Sequence, residues 1–156
     1  MKRLLIIEDD RAMADGLSIT LKSESIDVEK CYDITTAKKS IREKNYNLII
    51  LDIGLPDGSG LDLLQEIRRI YRIPVILLTA NDTETDVVMG LELGAADYIT
   101  KPFSLAILRA KVNTELNKVE IKICIMKPMS FSLTLRKWNT IKEALLLILV
   151  KRSNAC

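Results

Sequence analysis

Residues 48–60 read LIILDIGLPDGSG, and this stretch decides the fold. Leu48 to Leu51 is a continuous apolar run of strand length, the signature of a parallel strand buried on both faces. Asp52 ends the run, and Asp57, Gly58, Ser59 and Gly60 after it read as turn chemistry. In an open α/β sheet the carboxyl ends of the strands form the ligand crevice, so an acidic residue at this point is a candidate for chemistry.

The same pattern recurs on either side. The predicted strands are Arg3 to Ile7, Val28 to Cys31, Leu48 to Leu51, Val75 to Leu78, and Tyr98 to Ile99. Between them, apolar residues fall at helical spacing: Met13, Leu17 and Leu21; Leu63 and Ile67; Val87, Val88 and Leu91; Leu105, Leu108, Val112 and Leu116. Each segment is expected to lay one face on the sheet. Asp33 is placed to cap the second helix and Ser104, just after Pro102, the last one, while Gly94 sits where a helix ends in the left-handed conformation. Five strands and five helices fit within residues 1–119, which gives an α/β fold class with a doubly wound parallel sheet.

The chain has 156 residues, 48% hydrophobic and 28% charged, the composition of an ordinary globular protein. The net charge of +2 hides an asymmetry: residues 1–119 carry 16 Lys and Arg against 19 Asp and Glu, while residues 120–156 carry 7 against 2. Cys31, Cys124 and Cys156 form no CxxC pair, so neither a disulfide framework nor a metal knuckle is expected. No charged-then-apolar leader precedes the first strand, and the longest apolar run, Ala144 to Val150, is far short of the ~20 residues that span a bilayer. The expectation is a soluble cytoplasmic protein with no membrane partner.

Glu8 and Asp9, Asp52 and Lys101 each follow a predicted strand and should converge at one edge of the sheet. Crowded carboxylates raise one another's pKa unless a cation lies among them. Mg²⁺ suits such a site because it takes hard oxygen ligands and completes its shell with phosphate oxygens. Glu8, Asp9 and Asp52 are therefore the candidate metal ligands, with a backbone carbonyl in the loop after Asp52. Asp52 itself is the candidate nucleophile for phosphoryl transfer, with Lys101 and the Thr79 hydroxyl as stabilising donors. Each residue also has a plainer reading: Asp9 or Asp10 as a cap on the first helix, Lys101 as a solvated charge, Thr79 as a strand-end hydroxyl, Tyr98 as an ordinary strand aromatic. The constellation carries the inference.

Four blocks, IIEDD (6–10), LDIGLPDGSG (51–60), ILLTA (76–80) and GAADYITKPF (94–103), closely resemble the CheY-like receiver domain of two-component response regulators. The resemblance implies a flavodoxin-like sheet in strand order 2-1-3-4-5. It implies that Asp52 accepts a phosphoryl group from a sensor histidine kinase, with Glu8, Asp9 and the Gly54 carbonyl at the Mg²⁺ site. Lys101 then contacts a phosphoryl oxygen, Thr79 and Tyr98 form the switch, and Lys101-Pro102 is a cis peptide. Its output is altered partner binding, most often homodimerisation, and the protein is a switch rather than an enzyme. The DGSG and ADYITKPF segments are similar to the OmpR-like branch, whose receivers precede a winged-helix DNA-binding domain, which implies control of transcription.

The 37 residues from 120 to 156 depart from that branch, being too few for a complete DNA-binding domain, so DNA is expected as a partner only if a full effector domain exists. Residues 121–126 (IKICIM) and 131–136 (FSLTLR) alternate like strands, and Ile141 to Arg152 reads as an apolar helix. The tail is read as a truncated or frame-shifted remnant, with a partner-docking helix or a loosely packed tail as its rivals. A stand-alone receiver that acts as a phosphorelay or interaction module without DNA is the alternative function. A phosphohydrolase is disfavoured because Gly54 stands where a second acid is needed and the chain has no histidine. A flavodoxin-type cofactor site is disfavoured because Glu8 and Asp9 would repel a phosphate.

Overall fold

In the computed structural model, which describes residues 1–80 and 84–126, the chain runs β1 (Lys2–Ile7), α1 (Arg11–Leu21), β2 (Ile26–Cys31), α2 (Ile34–Glu43), β3 (Leu48–Asp52), β4 (Gly54–Leu55), β5 (Gly58–Ser59), α3 (Gly60–Ile70), β6 (Val75–Thr79), α4 (Glu84–Glu92), β7 (Asp97–Thr100) and α5 (Leu105–Met126). The five longer strands form one parallel sheet in the order β2-β1-β3-β6-β7, which is 2-1-3-4-5 when the two-residue strands are left out of the count. The register pairs Ile7 with Leu51, Asp52 with Leu78 and Thr79 with Thr100, so the residues ending β1, β3, β6 and β7 share one edge.

Side chains alternate across a strand, and here a continuous apolar run feeds two cores. Leu5, Ile7, Ile49, Leu51, Val75 and Leu77 pack with Ala37 and Ile41 of α2 and Leu63, Leu64 and Ile67 of α3. Leu4, Ile6, Leu48, Ile50, Ile76 and Leu78 pack with Ala14, Leu17 and Leu21 of α1 and Leu108, Val112 and Leu116 of α5. Every residue of β3 and β6 is buried, as strands covered on both faces require.

The helix ends follow their local chemistry. Asp10 caps α1 by accepting from the Met13 N–H at 3.1 Å, and Asp33 caps α2 by accepting from Thr36 N–H at 2.6 Å. Ser104 Oγ accepts from Ala106 N–H at the start of α5. Gly94, at φ +94°, turns the chain after α4, where a left-handed residue suits glycine. The Lys101-Pro102 peptide is cis, as the resemblance implies.

Two expectations fail. Val88 and Leu91 of α4 stand outward, 51% and 44% exposed, and Leu105 of α5 is likewise exposed; Val87 lies outside the residues whose side chains are described. α4 instead meets the sheet at buried Gly90, where an added Cβ would lie 2.4 Å from Leu77 Cδ1. The contact is made by backbone, so apolar periodicity does not find it. Residues 121–126, expected as a strand, are helical and end α5. Once a helix is nucleated each further residue adds a hydrogen bond without a new nucleation cost, which outweighs a short alternating pattern. The expectations for 131–136 and 141–152 lie outside the described residues. The chain divides into a first compact unit, Met1–Glu120, and a second, Ile121–Cys156.

Gly60 closes the loop that follows β3. Its N–H donates to the Ile53 carbonyl at 2.8 Å, and a Cβ there would stand 2.1 Å from the Asp52 carbonyl oxygen. Because the obstacle is backbone, Gly60→Ala is expected to cost about 2 kcal/mol. A denaturant midpoint equal to that of the parent chain would contradict it.

Candidate acidic site

Four strand ends assemble the site. Glu8 follows β1, Asp52 ends β3, Thr79 ends β6 and Lys101 follows β7. Backbone bonds stitch these ends together: Glu8 N–H to the Cys31 carbonyl at 3.0 Å, Ile53 N–H to the Leu78 carbonyl at 3.0 Å, and Lys101 N–H to the Thr79 carbonyl at 2.7 Å. The positions of the candidate side chains therefore follow from the register of the sheet.

Glu8, Asp9 and Asp52 each offer a carboxylate oxygen, all within 4.8 Å of one another. Glu8 is 1% exposed and Asp52 is also buried, while Asp9 faces solvent. Lys101 Nζ reaches both buried carboxylates, at 2.8 Å from Glu8 Oε2 and 2.9 Å from Asp52 Oδ2. The remaining oxygens accept from the backbone: Glu8 Oε1 from Asp10 N–H and Asp52 Oδ1 from Gly54 N–H, both at 3.3 Å. Asp10 is the residue that caps α1, which leaves Asp9 to the cluster.

Burial pushes the Glu8 carboxyl above its ordinary value, and the nearby Asp52 charge adds to the shift, while the hydrogen bond from Lys101 opposes it. Burial acts on Lys101 in the opposite sense, towards the neutral amine. Its hydrogen bonds to Glu8 and Asp52 more than offset this, so the ammonium is held above the ordinary lysine value. One cation thus serves two buried anions, and the third carboxylate, on Asp9, remains at the mouth. Such a set of hard oxygen donors with excess negative charge fits a divalent cation.

The other predicted residues fall around this centre. Thr79 is buried at the end of β6, directly in register with Thr100. Tyr98 is half-buried on β7, in register with Leu77, and packs against the core on the α2–α3 side of the sheet. Gly54 lies two residues beyond Asp52, on the short β4–β5 hairpin, with open space around its Cα. Sequence reading missed the Arg11 guanidinium, which lies 4.4 Å from the centroid of the Tyr32 ring and covers the residue after β2. It also missed the partners of Asp57, for which a local sequence pattern carries no signal because they lie 22 and 23 positions earlier.

Residues 4–113 match the family model described as the response regulator receiver domain. The chain is similar to the receiver domain of the Francisella response regulator 1452, with 31% identity and a TM-score of 0.72 over 76% of this chain and 99% of that one. It is similar to response regulator DrrB, a Thermotoga maritima OmpR/PhoB homologue, with 30% identity and a TM-score of 0.70 over 76% of this chain and 54% of that one. The BeF3-activated N-terminal receiver domain of Klebsiella pneumoniae RstA matches at 30% identity and a TM-score of 0.70, over 74% of this chain and 98% of that one.

Proposed function

We propose, from the premise that this chain belongs to the response regulator receiver family, that it is a phosphorylation-controlled switch whose phosphoacceptor is Asp52 and whose donor is a sensor histidine kinase. The observation that carries this reading is the placement of Asp52: a buried carboxylate bonded to Lys101 and within 4.8 Å of Glu8 and Asp9. In the reaction a carboxylate oxygen of Asp52 attacks the phosphorus of a phosphohistidine. The new P–O bond replaces the P–N bond, and the imidazole leaves with its electron pair.

Glu8, Asp9, Asp52 and the Gly54 carbonyl are the residues that would hold Mg²⁺, and the chemistry supplied by the bound ion is neutralisation of the clustered charge together with ligation of phosphate oxygens. Lys101 already has its ammonium against Asp52 Oδ2, and it turns to the phosphoryl oxygen that forms there. The added charge of roughly −1.5 to −2 draws the Thr79 hydroxyl inward. Tyr98 then moves towards the space that Thr79 vacates, and the surface of α4, β7 and α5 is remodelled.

That surface supports homodimerisation as the output. Val88, Met89 and Leu91 of α4 and Leu105 and Ile107 of α5 are large apolar side chains left exposed. No helix among the described residues is long and apolar enough to cross a membrane, and a cytoplasmic location is part of the proposal. Control of transcription belongs to it through the similarity to an OmpR/PhoB homologue. Promoter binding that responds to phosphodonor supports that output; a chain that responds by dimerising but never binds promoter DNA fits the stand-alone interaction module.

Intact-mass spectrometry after incubation with acetyl phosphate tests the central claim. One phosphoryl group per chain is expected with Mg²⁺, and none after chelation, while the far-ultraviolet circular dichroism stays unchanged. Equal phosphorylation in the presence of excess chelator would sink the metal requirement.

A further inference from the structure

We infer that Asp57 is a positioning residue that fixes the divalent-cation site by clamping the Gly54 loop to the N-terminus of α2; the inference rests on the proposed ligand role of the Gly54 carbonyl. The turn residues 57–60 otherwise have no part in the phosphoryl-transfer scheme.

The N-terminal amides of a helix lack intrahelical acceptors, so they must be met from outside. At α2 two carboxylates meet them. Asp33, the local cap, takes Thr36 N–H at 2.6 Å. Asp57 takes the two before it, Ile34 N–H on Oδ1 at 2.9 Å and Thr35 N–H on Oδ2 at 3.1 Å, and it also accepts from the Thr35 hydroxyl at 3.1 Å. The Ile34 amide, followed by the Thr35 amide and hydroxyl, holds the Asp57 carboxyl below the ordinary carboxylate range. The positive end of the helix dipole acts in the same direction.

Asp57 sits at the tip of the β4–β5 hairpin, whose ladder is only two pairs long: Gly54 with Ser59 and Leu55 with Gly58. A short two-stranded hairpin has little stability of its own. The base of the loop is fixed by Gly60 N–H to the Ile53 carbonyl and Ile53 N–H to the Leu78 carbonyl. The tip is fixed by Asp57, and by Gly58, whose φ of +154° suits glycine and whose missing Cβ would stand 3.0 Å from Ile34 Cδ1. Gly54 lies between these two anchors. Releasing the tip frees its carbonyl while leaving Glu8, Asp9 and Asp52 in place.

Mg²⁺ tolerates little departure from octahedral geometry, so a loosened carbonyl ligand should appear directly in its affinity. Titration of the full 156-residue chain with Mg²⁺ alone, followed by backbone amide chemical shifts, reads this without any phosphodonor. Asp57→Ala is expected to weaken Mg²⁺ binding about 10-fold, as loss of a ligand-orienting contact commonly does. Asp33→Ala removes the other carboxylate from the same helix end without touching the loop and is expected to leave the affinity unchanged. Asp57→Asn retains one acceptor oxygen and should fall between Asp57→Ala and the parent.

An Asp57→Ala chain that binds Mg²⁺ like the parent overturns the inference, and so does an equal weakening in Asp33→Ala, which would mean that a frayed α2 is the cause. If Asp57→Ala does not fold, Asp57→Asn decides the matter by the same comparison with Asp33→Ala. A parent chain that takes up no Mg²⁺ overturns the ligand assignment itself, a failure distinguishable from that of the clamp.

Discussion

Asp52→Asn is expected to yield a folded chain that gains no acid-labile phosphoryl group from acetyl phosphate, with or without Mg²⁺. The amide is close to the carboxylate in shape, so the buried end of β3 keeps its packing, but it lacks the anionic oxygen that attacks phosphorus. A second consequence is electrostatic. The Asp52 charge is one reason the Glu8 carboxyl stands above its ordinary value, so removing it should bring the Glu8 titration down. An acid whose folded pKa is raised contributes stability that is present below its unfolded pKa and lost as pH rises through the folded pKa. Lowering the Glu8 value shrinks that loss, and at neutral pH without Mg²⁺ the variant should be at least as stable as the parent. Label persisting on the variant would remove Asp52 from its role. A Glu8 titration that does not move would show that the Asp52 charge plays no part in raising it.

The sheet and its acidic edge were legible because both depend on short-range pattern. Apolar runs such as Leu48 to Leu51 mark strands buried on two faces, and the rule that strand ends converge then brings Glu8, Asp52 and Lys101 together across 93 positions of chain. What stayed hidden depends on backbone contact or on distant partners. α4 meets the sheet at Gly90, a residue with no side chain to count, and two of the apolar residues expected at helical spacing, Val88 and Leu91, face solvent. Asp57 reads as a turn residue, and it is one; its second role arises only when the fold brings the start of α2 to it. Arg68 carries no local signal of its role either: its guanidinium donates to the Gly94 carbonyl at 2.7 Å and the Ile73 carbonyl at 2.5 Å. Residues 121–126 illustrate the converse, a local alternation overruled by the helix that leads into it.

Lys101 separates the plain reading of a solvated lysine from the reading in which it organises the site. Its side chain is 18% exposed and is the cation bonded to two carboxylates that are themselves 1% and 8% exposed. Lys101→Ala leaves those charges buried together without it, and removing one partner from a buried ionic cluster costs about 3 kcal/mol. A lysine free in solvent would cost almost nothing when truncated. The loss should be largest at neutral pH in Mg²⁺-free buffer. It should shrink as pH falls through the raised folded pKa of Glu8, where proton uptake by the native state relieves the repulsion. Mg²⁺ provides the sharper discrimination. A ligand that binds only the folded chain stabilises it by about 2.7 kcal/mol at roughly 100 times its dissociation constant. Saturating Mg²⁺ is therefore expected to restore most of what the substitution removes, while the coupling of phosphorylation to dimerisation stays lost because no ammonium meets the phosphoryl oxygen. Denaturant unfolding with and without Mg²⁺ reads both quantities. A deficit that Mg²⁺ does not reduce would mean that Lys101 stabilises the strand ends through its packing, and that the three carboxylates do not share a cation.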